Sequence, residues 1–224
     1  MATATARTAR KSAADKRIRI LDSAEALFAE RDFDGTNVRQ IAADAGVPLS
    51  LVSYHFPTKM ELYEAVIARR ADEISGDRLA ALAQAKAEKG DALGIRDVLG
   101  AYAAPFIRRS AHRNTGWRHY CQLIARVGSS RRWQPLVGKY FDATSGAFTA
   151  ELERLLPEVP PARVHKGFYF MLGAMLWICA DTGRLGVMSG GRYADPAPDT
   201  MIDAFLTYAA GGFCALVAED DAGG

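Results

Sequence analysis

The segment from residue 35 to residue 59 constrains the fold of this chain more than any other part of its sequence. Two short helices fit into it, because Val38 and Ile41 begin an apolar stripe at helical spacing and Gly46 follows where a helix commonly ends. Pro48 suits the first turn of the helix that comes next. The segment therefore predicts a helix-turn-helix, whose second helix lies in the major groove of DNA.

The second predicted helix has an inner and an outer face. Val52 and Phe56 lie four residues apart and are predicted to face inward, whereas small and hydroxyl side chains on the other side allow a close approach to base edges. The stretch from Thr58 to Glu61 has the pattern of a capping box. It either simply starts the next helix or also lets that helix N-terminus bind a phosphate beside Lys59.

These features resemble the DNA-binding domain of the TetR family of bacterial transcriptional regulators. The resemblance spans residues 14 to 74 and rests on four elements that agree in order. They are the amphipathic first helix (Ile18, Leu21, Ala24, Leu27, Phe28), the link Phe33-x-Gly35-Thr36, the core Ile41-Ala42-x-x-Ala45-Gly46-Val47 and the exit Tyr54-His55-Phe56-x-Thr58-Lys59. Pro48, Ser50 and Ser53 depart from the pattern of many members, which leaves the operator sequence open.

The resemblance implies which residues contact DNA. Arg39 and Lys59 would bind phosphates, Tyr54 and His55 would contact the sugar–phosphate backbone, and the outer face of the second helix would contact base edges. Phosphate contacts set the register, whereas base contacts carry the specificity. Each of three residues also has an alternative role without DNA contact. Arg39 could be a solvated charge, His55 a buried histidine and Leu49 a residue packed against the first helix. The full predicted set is Thr36, Asn37, Arg39, Leu49, Ser50, Leu51, Ser53, Tyr54, His55 and Lys59.

Composition and segmentation fit an all-α protein in two parts. The chain has 224 residues, of which 49% are hydrophobic, and a net charge of +2 that excludes a wholesale polyanion binder. Residues 1–13 are predicted as a flexible basic arm, which either lies along the DNA backbone or only aids solubility. Residues 14–74 form the helix-turn-helix domain, with the motif at about 37–56, and residues 75–224 form a larger helical domain for effector binding and dimerisation. About nine helices are expected, with a loop over 184–198.

The last two predicted helices, over residues 160–181 and 200–217, are unusually apolar and rich in small residues. A helix that is apolar all round must be buried, either within its own domain or against a second copy of the chain. In TetR-like proteins the last two helices form a four-helix bundle across a two-fold axis. The resemblance therefore implies a homodimer on double-stranded DNA, at a pseudo-palindromic operator whose half-sites lie roughly 34 Å apart.

The resemblance also implies a pocket for a small effector between the middle helices. Aromatic and thioether side chains in this part of the chain are of the kind that lines apolar ligand sites, although such side chains are more often plain core. The predicted pocket residues are Tyr102, Phe106, Trp117, Cys121, Phe168, Met171, Met175 and Trp177.

A weaker likeness of the C-terminal half to members that respond to fatty acyl compounds implies a small, mainly hydrophobic effector. Its binding would release a repressor from the operator. The alternative is an effector-independent dimeric DNA-binding protein, whose larger domain serves only dimerisation.

The sequence predicts neither catalysis nor a bound metal or cofactor. No nucleophile motif, glycine-rich phosphate loop or metal-ligand pair accompanies its histidines. Cys121, Cys179 and Cys214 lie far apart in apolar surroundings, as is typical of reduced cytosolic thiols. The longest apolar run, 14 residues from Gly167 to Ala180, is shorter than the ~20 needed to span a bilayer. Because the N-terminus also lacks an apolar signal-peptide core, a cytoplasmic protein without membrane contact is expected.

Overall fold

A computed structural model describes residues 2–111, 115–193 and 197–218 of the chain. Within these ranges the protein forms ten α-helices and no β-strand, so the predicted all-α fold is confirmed. The helices are α1 (Ala2–Arg31), α2 (Val38–Asp44), α3 (Leu49–His55), α4 (Lys59–Lys89), α5 (Ile95–Ser110), α6 (Thr115–Gly128), α7 (Gln134–Leu155), α8 (Pro161–Cys179), α9 (Arg184–Met188) and α10 (Pro198–Ala218).

The observed helices match the predicted ones closely, with one addition. The helices predicted over 160–181 and 200–217 both agree with the structure to within two residues at either end. The addition is α9, which lies inside the stretch predicted as a loop and follows Gly183 in a left-handed conformation at φ +64°. Five residues are too few to show a helical repeat, which explains why the count is ten in the described ranges rather than about nine.

Helices α1, α2 and α3 pack into a small bundle around a fully buried core. Ile20 and Phe28 from α1, Ile41 from α2 and Val52 from α3 are each 0% exposed. Gly46 has φ +61°, so it adopts the left-handed conformation that ends α2 and turns the chain into α3. The arrangement is the predicted helix-turn-helix.

Polar contacts fix the turn between α2 and α3 against α1. The Arg19 guanidinium donates a hydrogen bond to the Ala45 carbonyl oxygen at the end of α2. The Ser23 hydroxyl donates to the Asp44 carboxylate at 2.5 Å. Helix α1 begins within the segment that the sequence predicts as a flexible basic arm, and the role of that arm on DNA stays a prediction.

Helix α4 runs from the helix-turn-helix into the larger helical region. It contacts α1 near its start and packs against α5 and α7, and α7 reaches both Glu64 and Lys86 of α4. Its buried positions Ile67, Ala71, Ile74, Arg78 and Leu82 recur every three or four residues and therefore lie on one face. The predicted domain boundary at residue 74 falls inside this continuous helix, so α4 belongs to both parts.

Helix α10 is apolar along its length and largely exposed in the described region. It packs on α5 and α8, yet only 17% of its most apolar window is buried in the single chain. By length and composition alone it is the one helix, over the described ranges, that could cross a membrane, and a helix of a soluble protein passes the same test. A large part of its apolar surface therefore faces outward from one protomer.

Candidate nucleic-acid interface and internal cavity

Helix α3 presents a short face of exposed side chains away from the bundle. Leu49 is 40% exposed and Tyr54 is 79% exposed, with Ser50 and Ser53 also exposed between them. Leu51 is half-buried. Because Val52 and Phe56 are buried on the other side, the inward and outward faces of α3 lie as the sequence predicts. Whether this outward face contacts base edges stays a prediction.

The residues before and within α2 have different structural roles. The Asn37 side chain caps α2 by accepting a hydrogen bond from the Arg39 backbone N–H at 2.9 Å, and Gln40 completes the capping box. The Thr36 side chain is 2% exposed, and its hydroxyl is within hydrogen-bonding distance of the Asp32 carbonyl oxygen at 2.6 Å. Thr36 therefore supports the bundle and offers no side-chain surface to DNA, whereas Arg39 is exposed.

Two basic side chains lie where α3 ends and α4 begins. Lys59 is the first residue of α4, and its amino group lies 4.4 Å from the centre of the Phe33 ring. Thr58 caps that helix by accepting from the Glu61 backbone N–H at 3.1 Å. The Nε2 atom of His55 is buried and has no hydrogen-bond partner in the described part of the chain. A positive helix N-terminus and Lys59 thus lie beside the end of α3.

A cavity of about 840 Å³, partly open to solvent, lies in the larger helical region and is lined from α4, α5, α6, α7 and α8. Its volume is within the range of small-molecule sites. Four of the predicted pocket residues line it: Tyr102, Phe106, Phe168 and Met175.

The other four predicted pocket residues lie elsewhere, which corrects that part of the prediction for this cavity. Trp117 is on α6 two turns before the cavity residue Ile124 and packs against the guanidinium groups of Arg70 and Arg109. Trp177 points outward on α8 and is 64% exposed. Helical spacing did not reveal which side of each helix meets the cavity, because that depends on where the other helices lie.

Cys121 and Met171 are buried outside the cavity lining. The Cys121 thiol is 0% exposed and donates to the Phe106 carbonyl oxygen at 3.7 Å. Burial raises the pKa of the Cys121 thiol, so the group stays protonated and unreactive at neutral pH. Both residues therefore act as core.

The cavity contains a charged residue that the sequence analysis missed. Arg78 of α4 is 3% exposed and lines the cavity. It occupies the apolar register of α4, between Ile74 and Leu82 at four-residue steps, and this interruption was the signal available in the sequence.

An ion-pair cluster connects α1 to α4. The Glu25 carboxylate, on α1, is 1% exposed and accepts two hydrogen bonds from Arg70, at 2.9 Å from Nε and 3.0 Å from Nη2. Arg69 lies 3.7 Å from the same carboxylate and donates to Asp22 at 2.7 Å. The Arg70 guanidinium also lies over the Trp117 ring of α6 at 4.7 Å. This cluster ties the helix-turn-helix to the larger region.

An aromatic cluster forms a second junction. The Tyr63 ring of α4 packs against Phe28, Phe33 and Trp133, with ring centres 4.8 to 5.0 Å apart. Burial raises the pKa of the Tyr63 phenol, so it stays neutral. Trp133 lies between α6 and α7, so the cluster joins the base of the larger region to the helix-turn-helix.

Family models match both parts of the chain. A model described as "Bacterial regulatory proteins, tetR family" matches residues 20–66. A model described as "Tetracyclin repressor-like, C-terminal domain" matches residues 100–212. No curated protein sequence matches the chain significantly.

Solved structures with a similar fold include three of low sequence identity. A TetR-family transcription regulator from Shewanella sp. PV-4 has a TM-score of 0.63 at 17% identity, covering 92% of this chain and 99% of its own. A TetR-like transcriptional regulator from Rhodococcus sp. RHA1 has a TM-score of 0.60 at 20% identity, covering 89% and 96%. The multidrug binding protein EbrR, complexed with malachite green, has a TM-score of 0.58 at 19% identity, covering 91% and 98%. At these identities the likeness extends to the fold alone.

Proposed function

We propose, because this chain belongs to the TetR family of bacterial regulatory proteins, that it is a homodimeric repressor released from its operator by a small hydrophobic effector. The family consists of DNA-binding transcriptional regulators rather than enzymes. The observation that carries the proposal is a helix-turn-helix joined by one continuous helix, α4, to a region with a cavity of about 840 Å³. A cytoplasmic location follows from this role.

The exposed face of α3 supports a role in reading bases. Ser50 and Ser53 are small, so the helix backbone can approach the floor of the major groove, and their hydroxyls can donate or accept hydrogen bonds. Leu49 offers an apolar surface for a thymine methyl group. We propose that these three residues, with Leu51, set the base preference.

Phosphate contacts would surround that reading face. Arg39 on α2 and Tyr54 near the end of α3 are exposed, and Lys59 lies at the positive N-terminus of α4. His55 has a buried Nε2 atom without a hydrogen-bond partner in the described ranges, and a small movement of its ring would let that atom bind a phosphate oxygen. We propose that these four side chains hold the protein on the DNA backbone.

The exposed apolar surfaces of α8 and α10 support a homodimer through these helices. Phe170 and Trp177 on α8 are 61% and 64% exposed, seven residues apart and so on one face. On α10, Tyr208 is 76% exposed. Within the ranges that the structure describes, Gly211 and Gly212 have no neighbouring atom within 4 Å of where a Cβ would lie. Small residues let two helices approach closely. A second copy would cover this surface and bring two α3 helices to half-sites roughly 34 Å apart.

Helix α4 offers a route from the cavity to the DNA. Arg78 lines the cavity and Arg70 holds Glu25 of α1, about 12 Å apart along the same helix at 1.5 Å per residue. An effector that binds the protein more tightly when α4 is in one position than in another would shift the population toward that position, and so change the orientation of the helix-turn-helix. The difference between the two affinities sets the size of the shift. EbrR binds malachite green within the same fold, which supports an effector role for the cavity.

The DNA assignment is tested with one variant at each end of α4. Lys59→Ala should weaken binding to all DNA sequences alike and reduce the salt slope by about one unit, because one phosphate contact is lost. Lys89→Ala is the matched control, since it removes the same charge from the same helix about 45 Å away. Binding to the gene's own upstream region is measured by fluorescence anisotropy against salt concentration. Equal slopes for both variants would contradict the assignment.

Specificity is tested separately at Ser53. Replacing Ser53 with alanine removes one exposed hydroxyl from α3 and should change the preferred base at one position of sites selected from a random DNA pool. The mean affinity should change little. An unchanged site would show that α3 does not read bases through this residue.

The dimer is tested by light scattering at micromolar concentration. The wild-type chain should show twice the protomer mass of 24.3 kDa. Trp177→Glu should shift the mass toward the protomer, because a charge would be buried in the interface. Leu79→Glu, at an apolar residue of α4 that is 43% exposed, should leave the dimer intact. A wild-type monomer would refute the homodimer.

A further inference from the structure

The cavity wall contains one buried cation, the guanidinium group of Arg78. The side chain is 3% exposed, and its Nε donates to the Tyr102 carbonyl oxygen at 2.9 Å. Its Nη2 lies 3.8 Å from the Met175 sulfur, and its central carbon lies 3.8 Å from the centre of the Tyr102 ring. All of these partners are neutral, so they hold the group in place without balancing its charge.

No acidic side chain of the described ranges forms an ion pair with Arg78. The nearby acids of α4, Glu73 and Asp77, each lie 2.7 Å from Arg109 instead. Within the same ranges, Nη1 of Arg78 makes no hydrogen bond. An arginine cannot lose its proton at physiological pH, so the buried charge persists. Burying a charge without a counter-charge is strongly unfavourable.

The rest of the cavity would suit the apolar body of a ligand. Phe106 and Met175 lie beside the guanidinium. Phe168, Leu172 and Leu176 extend the apolar wall, which also contains polar side chains such as Ser145 and Thr149. The other ionisable side chains of the lining are Arg131, Asp142 and His165, and His165 lies 3.0 Å from Glu153. The lining thus contains two arginines against one carboxylate, and only one of the arginines is fully buried.

We propose that the effector is an apolar organic acid whose carboxylate pairs with Arg78. This inference rests on the proposed function, in which the cavity receives an effector. The planar guanidinium matches a carboxylate in geometry and charge, and the pair would form at a side chain that is only 3% exposed. Because Arg78 is part of α4, the ligand's charge would act directly on the helix that leads to the DNA.

The experiment compares matched probes that differ only in the head group. Decanoate, decanol and decylamine share one flexible chain, and 2-naphthoate with 2-naphthylmethanol provides a rigid pair. Binding to the full-length protein is measured by calorimetry at about pH 7.5, where the carboxyl group is ionised. The same samples are assayed for release of a fluorescent DNA fragment obtained by selection from a random pool.

We expect each acid to bind wild-type protein about tenfold or more tightly than its alcohol, because a charge-assisted hydrogen bond is gained, and the amine to bind most weakly. Arg78→Met keeps the length of the side chain and should remove the preference for the acid, leaving acid and alcohol within about threefold of each other. Arg131→Gln is the matched control and should keep the preference. The wild-type comparison stands even where a variant does not fold.

Four outcomes would overturn the inference, and they separate it from the proposed function. Equal or tighter binding of the alcohols by wild-type protein excludes an acid effector. Retention of the acid preference in Arg78→Met, or its loss only in Arg131→Gln, excludes Arg78 as its partner. If decanol releases the DNA as well as decanoate does, the protein still responds to an effector, but the effector does not need to be an acid. Binding of no probe, with DNA binding intact, refutes the acid effector and favours a protein that only dimerises.

Discussion

Replacing Glu25 with glutamine should break the buried ion pair that joins α1 to α4. The Glu25 carboxylate accepts from Arg70 at 2.9 and 3.0 Å and lies 3.7 Å from Nε of Arg69. Glutamine has nearly the same volume but no charge. The variant therefore leaves two guanidinium groups without their shared counter-charge, and Nη1 of Arg69 already lacks a hydrogen-bond partner among the described residues.

The magnitude follows from the burial of the three side chains. Breaking a fully buried ion pair by removing one partner costs about 3–5 kcal/mol. The side chains of Arg70 and Arg69 are still 13% and 20% exposed, so water solvates part of the freed charge. We expect the free energy of unfolding to fall by about 2–3 kcal/mol, as for charge-assisted hydrogen bonds. For a chain of this size the loss lowers Tm by about 4–12 °C.

The assay is urea unfolding followed by circular dichroism. All variants are compared at one protomer concentration, because the stability of a dimer depends on concentration. Asp22→Asn is the matched control, since Asp22 bonds to Arg69 at 2.7 Å but is 55% exposed, and it should cost less than about 1 kcal/mol. If Glu25→Gln is no more destabilising than Asp22→Asn, the buried pair does not stabilise the junction as reasoned.

Two further predictions concern helix packing and acid stability. A Cβ on Gly167 would lie 2.6 Å from a ring carbon of Phe213, so Gly167→Ala should destabilise the protein by about 1–3 kcal/mol through overpacking between α8 and α10. A Cβ on Gly76 would meet no atom within 4 Å in the described part of the chain, so Gly76→Ala is the control and should stabilise the protein by about 0.5–1 kcal/mol. Equal urea midpoints for the two variants would contradict overpacking of Gly167 against Phe213. A hydrogen bond from Arg154 lowers the pKa of Glu151, so its stabilisation is present above the ordinary glutamate pKa and is lost as pH falls through the lowered one. Glu151→Gln should therefore be less stable than wild type near about pH 7, and a difference that does not shrink below about pH 4 would refute this.

Local chemistry made the helix-turn-helix predictable from the sequence. Capping by Asn37 and Thr58, the left-handed Gly46 and the inward pair Val52 and Phe56 each depend on neighbours within four residues along the chain. Hydrogen bonds and periodicity at that range are written in the residue order itself. The resemblance to the TetR family rests on the same segment, and it is confirmed by the family model that matches residues 20–66.

Contacts between helices that are distant in the sequence could not be predicted in this way. Thr36 has a side chain fit for a helix cap, yet its hydroxyl contacts Asp32 inside the bundle. Trp117 and Trp177 have side chains fit for a ligand site, yet one packs on arginines and the other faces outward. Residue type and spacing show that a side chain is apolar, but they do not show which helix it will meet.

The sequence by itself therefore determined the helices other than α9, the turn between α2 and α3 and the family to which the chain belongs. Only the tertiary structure decided that Glu25 pairs with Arg70, and that Arg78 is left in a cavity without an acidic partner in the described ranges. Glu25 and Arg70 are 45 residues apart along the chain. Burial and pairing of charges depend on how separate helices pack in three dimensions, and no local pattern of residues records that arrangement.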